Sequence, residues 1–311
     1  MAQATVTSST TAAPIPGGKR KLKRHGLAGF MFTLPFMVLF VTLFIAPLIY
    51  ALYLSLYREQ LVGGNAFVGL DNYTEGLKDK AFTDGVRRVA IFMVVQVPIM
   101  LILALVFALI IDSGKVIAAR LYRVGFFVPY AVPTVIAALM WGFLYGKDFG
   151  PFADLANKLG TTPPNFLGES TMLWSIANVS TWTFTGYNMI IFYAALRAIP
   201  AELYEAAAVD GAGAFRTALH VKLPLLRPAI LLCTIFSVIG SFQLFAEPRV
   251  FYDLAPQVIG KSYTPNLYVY NLAFADQRLN YAAALSFMLG LVVFVVSFVV
   301  MRISSRQEAR S

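Results

Sequence analysis

The chemically capable side chains of this sequence form none of the common catalytic motifs. There is no Gly-x-x-x-x-Gly-Lys-Ser/Thr loop to cradle a nucleotide phosphate, no Gly-x-Ser-x-Gly nucleophile elbow and no His-Glu-x-x-His zinc helix. The single cysteine, Cys233, excludes an internal disulfide, and His25 and His220 lack neighbours at metal-ligand spacing. The sequence therefore predicts no catalytic residue, no metal site and no cofactor bound by this chain.

Two apolar segments instead carry uncharged polar and aromatic side chains, which suit binding. Such groups hold neutral polar ligands within mostly apolar cavities. The candidates are Trp182, Tyr187, Asn188, Ser237, Gly240, Ser241, Phe242 and Gln243. Asn188 and Gln243 are the strongest, because an amide inside an apolar segment needs a polar partner. The alternative for Trp182 is an interfacial anchor, and the alternative for the small and polar residues is helix packing.

These candidates lie in the fourth and fifth of six stretches that contain no Asp, Glu, Lys or Arg. The stretches are Leu27–Tyr57, Val89–Ile111, Val124–Gly146, Ser170–Leu196, Pro228–Ala246 and Leu279–Met301. About 20 apolar residues at a rise of 1.5 Å cross a hydrocarbon core, and lipid requires internal backbone hydrogen bonds, so each stretch is predicted to be a transmembrane helix. In the third, Pro129 and Pro133 are interpreted as tolerated kinks, with a gate as the alternative.

Composition and charge agree with a membrane protein. Hydrophobic residues make up 58% of the 311 residues and charged residues only 13%, against about 25% in soluble domains. A basic cluster at residues 19–24 precedes the first stretch, and with both termini in the cytoplasm 15 of the 25 Lys and Arg residues lie on the inner side. The net charge of +9 therefore indicates topology and not nucleic-acid binding.

The predicted organisation has three parts. Residues 1–26 are predicted to be a disordered basic cytoplasmic tail, which is available to anionic lipid. Residues 27–303 are predicted to form a six-helix transmembrane domain that includes a cytoplasmic hairpin at 198–228. Residues 304–311 are predicted to be a second cytoplasmic tail.

The hairpin is the most informative segment. Pro200 suits the first turn of a helix over Ala201–Val209, and Gly211 suits the left-handed position that ends it. A second short helix is predicted from Ala214 to Leu219, and two prolines are predicted to break the chain before the next span. These breaks are Pro224 and Pro228.

One face of the first hairpin helix carries Leu203, Ala206 and Ala207 at i, i+3 and i+4 spacing. Small residues on such a face allow close seating in the groove of a partner. Nearby acids, such as Glu202, add charges that an arginine can meet. The alternative is a loop that only links two spans.

The hairpin closely resembles the "EAA" loop of permease subunits of binding-protein-dependent ABC importers. That pattern is Glu-Ala-Ala, three residues, Gly, nine residues and Ile-x-Leu-Pro. Here it reads Glu205-Ala206-Ala207, then Gly211, then Leu223-Pro224, with Val221 in place of the Ile. The resemblance extends from about residue 26 to residue 301 and includes segments similar to carbohydrate-type permeases. These are Phe67–Tyr73, Val128–Pro133, Ser241–Phe245 and Tyr281–Ser286.

The resemblance implies an all-α, polytopic maltose-type permease fold in a bacterial or archaeal cytoplasmic membrane. It implies four partners: a second permease, two cytoplasmic ATPase subunits that hold ATP and Mg, and an extracytoplasmic binding protein. It also implies a sugar substrate, expected to be an oligosaccharide. The implied ATPase-coupling residues are Glu205, Ala206, Ala207, Asp210, Gly211, Leu223 and Pro224.

One departure leaves the sugar unidentified. Many sugar permeases carry Leu-Thr-x-Gly-Gly-Pro after the fifth span, whereas this chain has a different sequence over Asp253–Tyr268. The alternatives are an ion-coupled secondary transporter, the same machinery for glycerol phosphate or a polyamine, and an intramembrane hydrolase. Ion-coupled carriers generally place charged residues within their spans, and the six stretches contain none.

Overall fold

The structure is a computed structural model that describes residues 26–60, 64–114 and 116–308. The side chains of residues 26–28 and 304–308 are outside this description. The predicted tail at 1–26, apart from Gly26, and the basic cluster at 19–24 also lie outside the described residues. The predicted boundary at residue 303 falls within a helix that continues to Glu308.

The described chain is helical almost throughout, which confirms the predicted all-α class. The first half contains α1 (Gly26–Phe40), the π-helical segment π1 (Val41–Ile45), α2 (Ala46–Ser55), α3 (Asp71–Lys78), α4 (Lys80–Asp112), α5 (Ala119–Ala131), α6 (Thr134–Leu144), α7 (Pro151–Lys158) and α8 (Met172–Arg197). The second half contains α9 (Ala201–Val209), α10 (Ala214–Thr217), π2 (Ala218–Lys222), α11 (Leu223–Leu225), α12 (Arg227–Phe242), α13 (Ala246–Leu254), α14 (Pro265–Phe274) and α15 (Leu279–Glu308). Strands β1 (Tyr57–Gln60) and β2 (Gly64–Phe67) pair antiparallel, with Tyr57 opposite Phe67.

The chain divides after Ile49 into two compact units. The described part of the first unit is α1, π1 and the start of α2. Its aromatic residues follow i, i+4 spacing, with the rings of Phe36 and Phe40 stacked at 5.9 Å and those of Phe40 and Phe44 at 5.3 Å. The second unit contains the remaining elements.

Four described helical segments are long and apolar enough to cross a membrane, and a bent pair raises the number to five. They are Gly29–Ser55, Lys80–Asp112, Arg227–Leu254 and Leu279–Ile303, with α5 and α6 as the bent pair. The predicted count of six is therefore not confirmed. The remaining predicted stretch does form a helix, α8, but its Ser, Thr and Asn residues lower its mean hydropathy.

The third predicted span is two helices and not one. Helices α5 and α6 meet at an angle of 96°, and Val132 and Pro133 between them have extended backbone with ψ of 126° and 133°. The residue before a proline is disfavoured in the α conformation, and Pro133 has no N–H to continue the helix. The interpretation as a tolerated kink is therefore wrong for Pro133, while Pro129 remains inside α5.

Helix α4 is central to the second unit because it contributes to three hydrophobic clusters. Phe92 packs with residues of α8 and α13, Met100 with Met189 and Phe192, and Phe82 with Leu285 of α15. Burial of side chains of this size stabilises the fold by about 1.5–3 kcal/mol each. The clusters fix the relative positions of α4, α8 and α12.

Helices α5 and α8 approach closely at Gly186. A Cβ atom at this position would clash with the carbonyl oxygen of Phe126. Only glycine permits this backbone contact, as in small-residue packing between membrane helices. The contact fixes the face of α8 that carries Tyr187 and Asn188.

Candidate functional site

A cavity of about 430 Å³, here called the central cavity, lies among α4, α5, α6, α8 and the end of α12. Its size falls within the range of about 300–1,000 Å³ that is typical of small-molecule sites. The described lining residues are Phe92, Gln96, Met100, Tyr130, Thr134, Ser180, Phe184, Tyr187, Asn188, Phe236, Ser237, Gly240, Ser241, Gln243, Leu244, Phe245, Ala246 and Glu247. Amides, hydroxyls and aromatic rings thus meet in one mostly apolar space.

The structure brings together six of the eight predicted pathway residues. Tyr187, Asn188, Ser237, Gly240, Ser241 and Gln243 line the central cavity. Trp182 is half-buried, and its ring lies 5.8 Å from that of Trp141 in an edge-on contact. Phe242 is buried in the hydrophobic cluster that also contains Phe82 and Leu285. These two side chains pack against the protein instead of lining the cavity.

A break in the fifth span places Gln243 at the cavity. Helix α12 ends at Phe242, and Phe245 has non-helical backbone with φ of −142° and ψ of −49° before α13 begins. The Nδ2 of Asn266 donates to the carbonyl of Phe242 at 2.8 Å, and the hydroxyl of Thr264 donates to the carbonyl of Leu244 at 3.1 Å. Broken helices at membrane depth are tolerated where freed backbone groups find such partners.

The side-chain amides of the cavity differ in their partners. Gln96 donates to the hydroxyl of Thr181 at 3.4 Å, and Asn188 donates to the carbonyl of Phe184 at 3.0 Å. The side chain of Gln243 makes no hydrogen bond to any other residue in the described part of the chain. It is therefore the amide most available to a ligand.

Aromatic rings form one wall of the cavity. The rings of Tyr130 and Tyr187 are stacked with centroids 4.6 Å apart, and Phe184 meets Tyr130 edge-on at 5.9 Å. Tyr130 comes from α5, and the other two come from α8. The close contact of these helices at Gly186 therefore also assembles this aromatic wall.

Glu247 also lines the central cavity, although it is not among the residues predicted from the sequence. Its side chain is 4% exposed, and its carboxylate accepts a hydrogen bond from Ser180 at 3.3 Å. The predicted apolar stretch ends at Ala246, because the criterion of no charged residues excludes the acidic residue that follows it. The usable signal was Gly240 together with Pro248, since glycine and proline near the end of an apolar run favour a broken helix that turns back into the protein.

The hairpin at 198–228 has the predicted first helix, α9, and Gly211 has the predicted left-handed backbone with φ of +74°. The second predicted helix is shorter, because π2 replaces it from Ala218 onward. The predicted break before the next span occurs between the two prolines, at Leu226, which separates α11 from α12. Each proline lies in the first turn of a helical segment, where its missing N–H has little effect.

The coupling residues implied by the resemblance differ in exposure. Glu205, Ala206, Asp210 and Gly211 are exposed, whereas Leu223 and Pro224 are half-buried. Ala207 is 9% exposed and packs against the chain itself. Large apolar side chains are exposed on the same hairpin, with Val209 at 88% and Phe215 at 78%. The hairpin thus offers acidic and apolar groups together.

A second cavity of about 440 Å³ is lined by Arg58, Arg278 and Tyr281, among other residues. Both arginines contact the Glu75 carboxylate, at 2.6 and 3.4 Å. Beside it, Asp79 accepts hydrogen bonds from Tyr281 and from Tyr268, each at 2.8 Å. Burial raises the pKa of Asp79, but hydrogen bonds from the two tyrosines and the amides of α4 outweigh burial and hold that pKa below its usual value.

Comparisons with known proteins agree with this architecture. Residues 74–310 match the family described as "Binding-protein-dependent transport system inner membrane component". The lactose transport system permease protein LacF of Rhizobium radiobacter is 32% identical, over 90% of this chain and 95% of that protein. The arabinooligosaccharides transport system permease protein AraP of Bacillus subtilis (strain 168) is 29% identical, over 94% of this chain and 96% of that protein.

A solved structure shares the fold. One chain of a bacterial ABC transporter involved in the import of the acidic polysaccharide alginate superposes with a TM-score of 0.80. The match covers 92% of this chain and 98% of that chain at 20% identity. It confirms the fold of an ABC importer permease.

Proposed function

Because the chain belongs to the family of binding-protein-dependent transport system inner membrane components, we propose that it is the transmembrane permease subunit of an ATP-driven importer for a neutral oligosaccharide. The observation that carries the substrate class is the central cavity. Its size and its mixture of amides, hydroxyls and aromatic rings match the groups that bind neutral polar ligands in apolar surroundings. The names of LacF and AraP, which refer to lactose and arabinooligosaccharides, support this class.

The individual side chains have distinct proposed roles. The unpaired amide of Gln243 and the hydroxyl of Ser237 provide hydrogen bonds to sugar hydroxyls. The stacked pair of Tyr130 and Tyr187 provides an aromatic face for a sugar ring. Glu247 accepts hydrogen bonds from sugar hydroxyls beside the fifth-span break.

The charge of the lining argues against glycerol phosphate. None of the described residues around the central cavity is Lys or Arg, so a phosphate would meet no cation there. Glu247, which is buried beside the cavity, adds no positive charge either. Glu247 favours one second candidate, a cationic solute such as a polyamine.

The hairpin is proposed to dock on a cytoplasmic ATPase subunit. Exposed Glu205 and Asp210 would meet basic residues of that partner, and exposed Leu203, Val209 and Phe215 would enter an apolar groove. Because Ala207 is buried in this chain, it supports the helix and does not contact the partner. ATP and Mg would bind to the two ATPase subunits and not to this chain.

The remaining assembly follows from the same proposal. A second permease subunit completes the pathway, and an extracytoplasmic binding protein delivers the sugar to the outer face. The membrane is the bacterial or archaeal cytoplasmic membrane, with both termini in the cytoplasm, as the distribution of Lys and Arg indicates.

A substrate panel tests the proposed class. The assembled transporter and its binding protein are reconstituted in liposomes, and ATP-driven uptake is measured for neutral di- and trisaccharides, glycerol phosphate and spermidine. We expect uptake of a neutral oligosaccharide. The Glu247→Gln variant is expected to keep most of this uptake activity, because Gln preserves hydrogen bonding. Uptake of spermidine that is abolished in Glu247→Gln would instead support the polyamine importer.

A further inference from the structure

A buried ion pair joins the cytoplasmic hairpin to the body of the permease. Asp112 is the last residue of α4, and Lys222 is the last residue of π2. The Nζ of Lys222 donates to the Oδ2 of Asp112 at 2.5 Å, and the two side chains are only 15% and 7% exposed. The pair thus bridges 110 residues of chain between a membrane span and the hairpin.

Tyr204, which lies in α9, also contacts this ion pair and so links the first hairpin helix to it. Its ring centroid lies 5.2 Å from the Lys222 ammonium, within the range of a cation–π contact. Its hydroxyl donates to the carbonyl of Leu196 at 3.3 Å, near the end of α8. Burial raises the pKa of Tyr204, and the charge of Asp112 raises it further against an opposing effect of Arg197, so the phenol stays a neutral donor.

A π-helical segment sets the position of Lys222. A π-bulge adds a residue to a helical turn and rotates the rest of the helix, and such bulges are frequent at functional sites. Residues Ala218–Lys222 form π2 between the short helices α10 and α11. If this segment were regular α-helix, the side chain of residue 222 would point in a direction rotated by roughly 100° about the helix axis, relative to the preceding helix α10.

Helix α4 connects this contact to the central cavity. Gln96 and Met100 of α4 line the cavity, and Asp112 lies 16 and 12 residues further along the same helix. At 1.5 Å per residue these separations are about 24 and 18 Å. A displacement of Asp112 therefore moves a helix that carries cavity-lining groups.

We propose that Asp112, Lys222 and Tyr204 form a coupling latch through which the hairpin moves α4. The inference rests on the proposed function, since it requires ATPase subunits that act on the hairpin. Isolated buried ion pairs are weak evidence for stability, but they fix one geometry between two elements. The latch residues are positioning residues, because Asp112 lies at the end of α4, Lys222 and Tyr204 lie in the hairpin, and none of the three lines the cavity.

The test measures coupling in the complete reconstituted complex. Asp112→Asn, Lys222→Met and the exchanged pair Asp112→Lys with Lys222→Asp are compared with wild type for assembly, ATP hydrolysis and sugar molecules imported per ATP. We expect both single variants to assemble and hydrolyse ATP but to import at least tenfold less sugar per ATP. The exchanged pair is expected to recover at least half of the wild-type ratio.

Arg227→Met is the matched control, because Arg227 is exposed and makes no ion pair with any described residue. It removes a positive charge from the same cytoplasmic region, and we expect a wild-type ratio. Single variants with the wild-type ratio would overturn the latch. Single variants that do not assemble, combined with an exchanged pair that assembles but stays uncoupled or does not assemble, would also overturn it. Failure of the wild-type complex to import sugar with ATP would instead reject the proposed function.

Discussion

Gln243 is the residue whose position the structure explains most fully. The break after α12 turns its amide toward the central cavity, and no described residue engages it. Asn188, the other amide predicted to bind a ligand, donates its Nδ2 to the carbonyl of Phe184 in its own helix. The two amides are alike in sequence context, and only the backbone break distinguishes them.

Substitution of Gln243 by Ala is expected to weaken sugar transport. Loss of one hydrogen bond to the ligand costs about 1 kcal/mol, or a roughly fivefold lower kcat/KM for uptake at saturating binding protein. ATP-driven uptake in proteoliposomes measures this change. Gln257→Ala is the control, because Gln257 is exposed and does not line the cavity. An unchanged kcat/KM and sugar preference in Gln243→Ala would remove Gln243 from the pathway.

Asp79 provides a stability prediction at the same scale. Its Oδ1 caps α4, and its Oδ2 accepts the hydroxyls of Tyr268 and Tyr281. Asp79→Asn keeps a capping oxygen but replaces the second acceptor by a donor, so we expect a loss of about 1–3 kcal/mol. Thermal unfolding in detergent at neutral pH measures it, and an unchanged melting temperature would contradict the role of the tyrosine bonds.

The pH dependence of this difference has a defined sign. The folded-state pKa of Asp79 is lowered, so its charge stabilises the fold above the unfolded pKa of about 3.9 and that stabilisation is lost as the pH falls through the folded pKa. Burial and the bond to Asp79 raise the pKa of Tyr268 to about 12, so the phenol stays a donor throughout. The stability difference between wild type and Asp79→Asn is expected to shrink as the pH falls below about 3.9 and to disappear only below the folded-state pKa, which is lower.

Among the elements, the hairpin turn was the best predicted from sequence. A run of strong helix formers followed by Gly211 specifies a short helix and a left-handed end by local chemistry alone. The π-helical segment π2 was not predictable, because no local residue type in Ala218–Lys222 specifies an extra residue per turn. Its last residue, Lys222, contacts Asp112, which is distant in the chain.

Substitution of Gly211 by Asp is expected to uncouple the transporter while leaving it in the membrane. The residue has φ of +74°, and a side chain there strains the turn that presents Glu205 and Asp210. We expect ATP-driven sugar uptake to fall at least tenfold, with normal amounts of inserted protein on immunoblots of membranes. Gly213→Asp is the control, because it adds the same charge at ordinary φ of −69° and in open space. Normal uptake by inserted Gly211→Asp would contradict a coupling role for the turn.

The breaks within the spans were harder to predict from the sequence than the positions of the spans. The absence of charged residues locates the apolar stretches. It does not predict the bend at Pro133 or the turn after Phe242. Freed carbonyls at such breaks need tertiary donors, as Asn266 provides at the second one. Glu247 was not predicted as a lining residue for the same reason, because the break places this acidic residue in the protein interior.

At the scale of the whole molecule, composition and the EAA-like pattern were sufficient for the class of protein. The low charge fraction reflects long helices without ionised residues, and the matched family and the fold agree with the predicted permease. Roles of single residues were less accessible. Phe242 and Trp182 are aromatic like the lining residues Phe184 and Tyr187, and only packing shows that they face other side chains.

The central claim is that this chain moves a sugar only as part of an ATP-driven, binding-protein-dependent assembly. Its most direct test is uptake of labelled oligosaccharide into proteoliposomes that contain the chain with its second permease and ATPase subunits. We predict uptake that requires ATP and the binding protein together and that is insensitive to collapse of ion gradients. Uptake by this chain alone, driven by an ion gradient without ATP, would contradict the account.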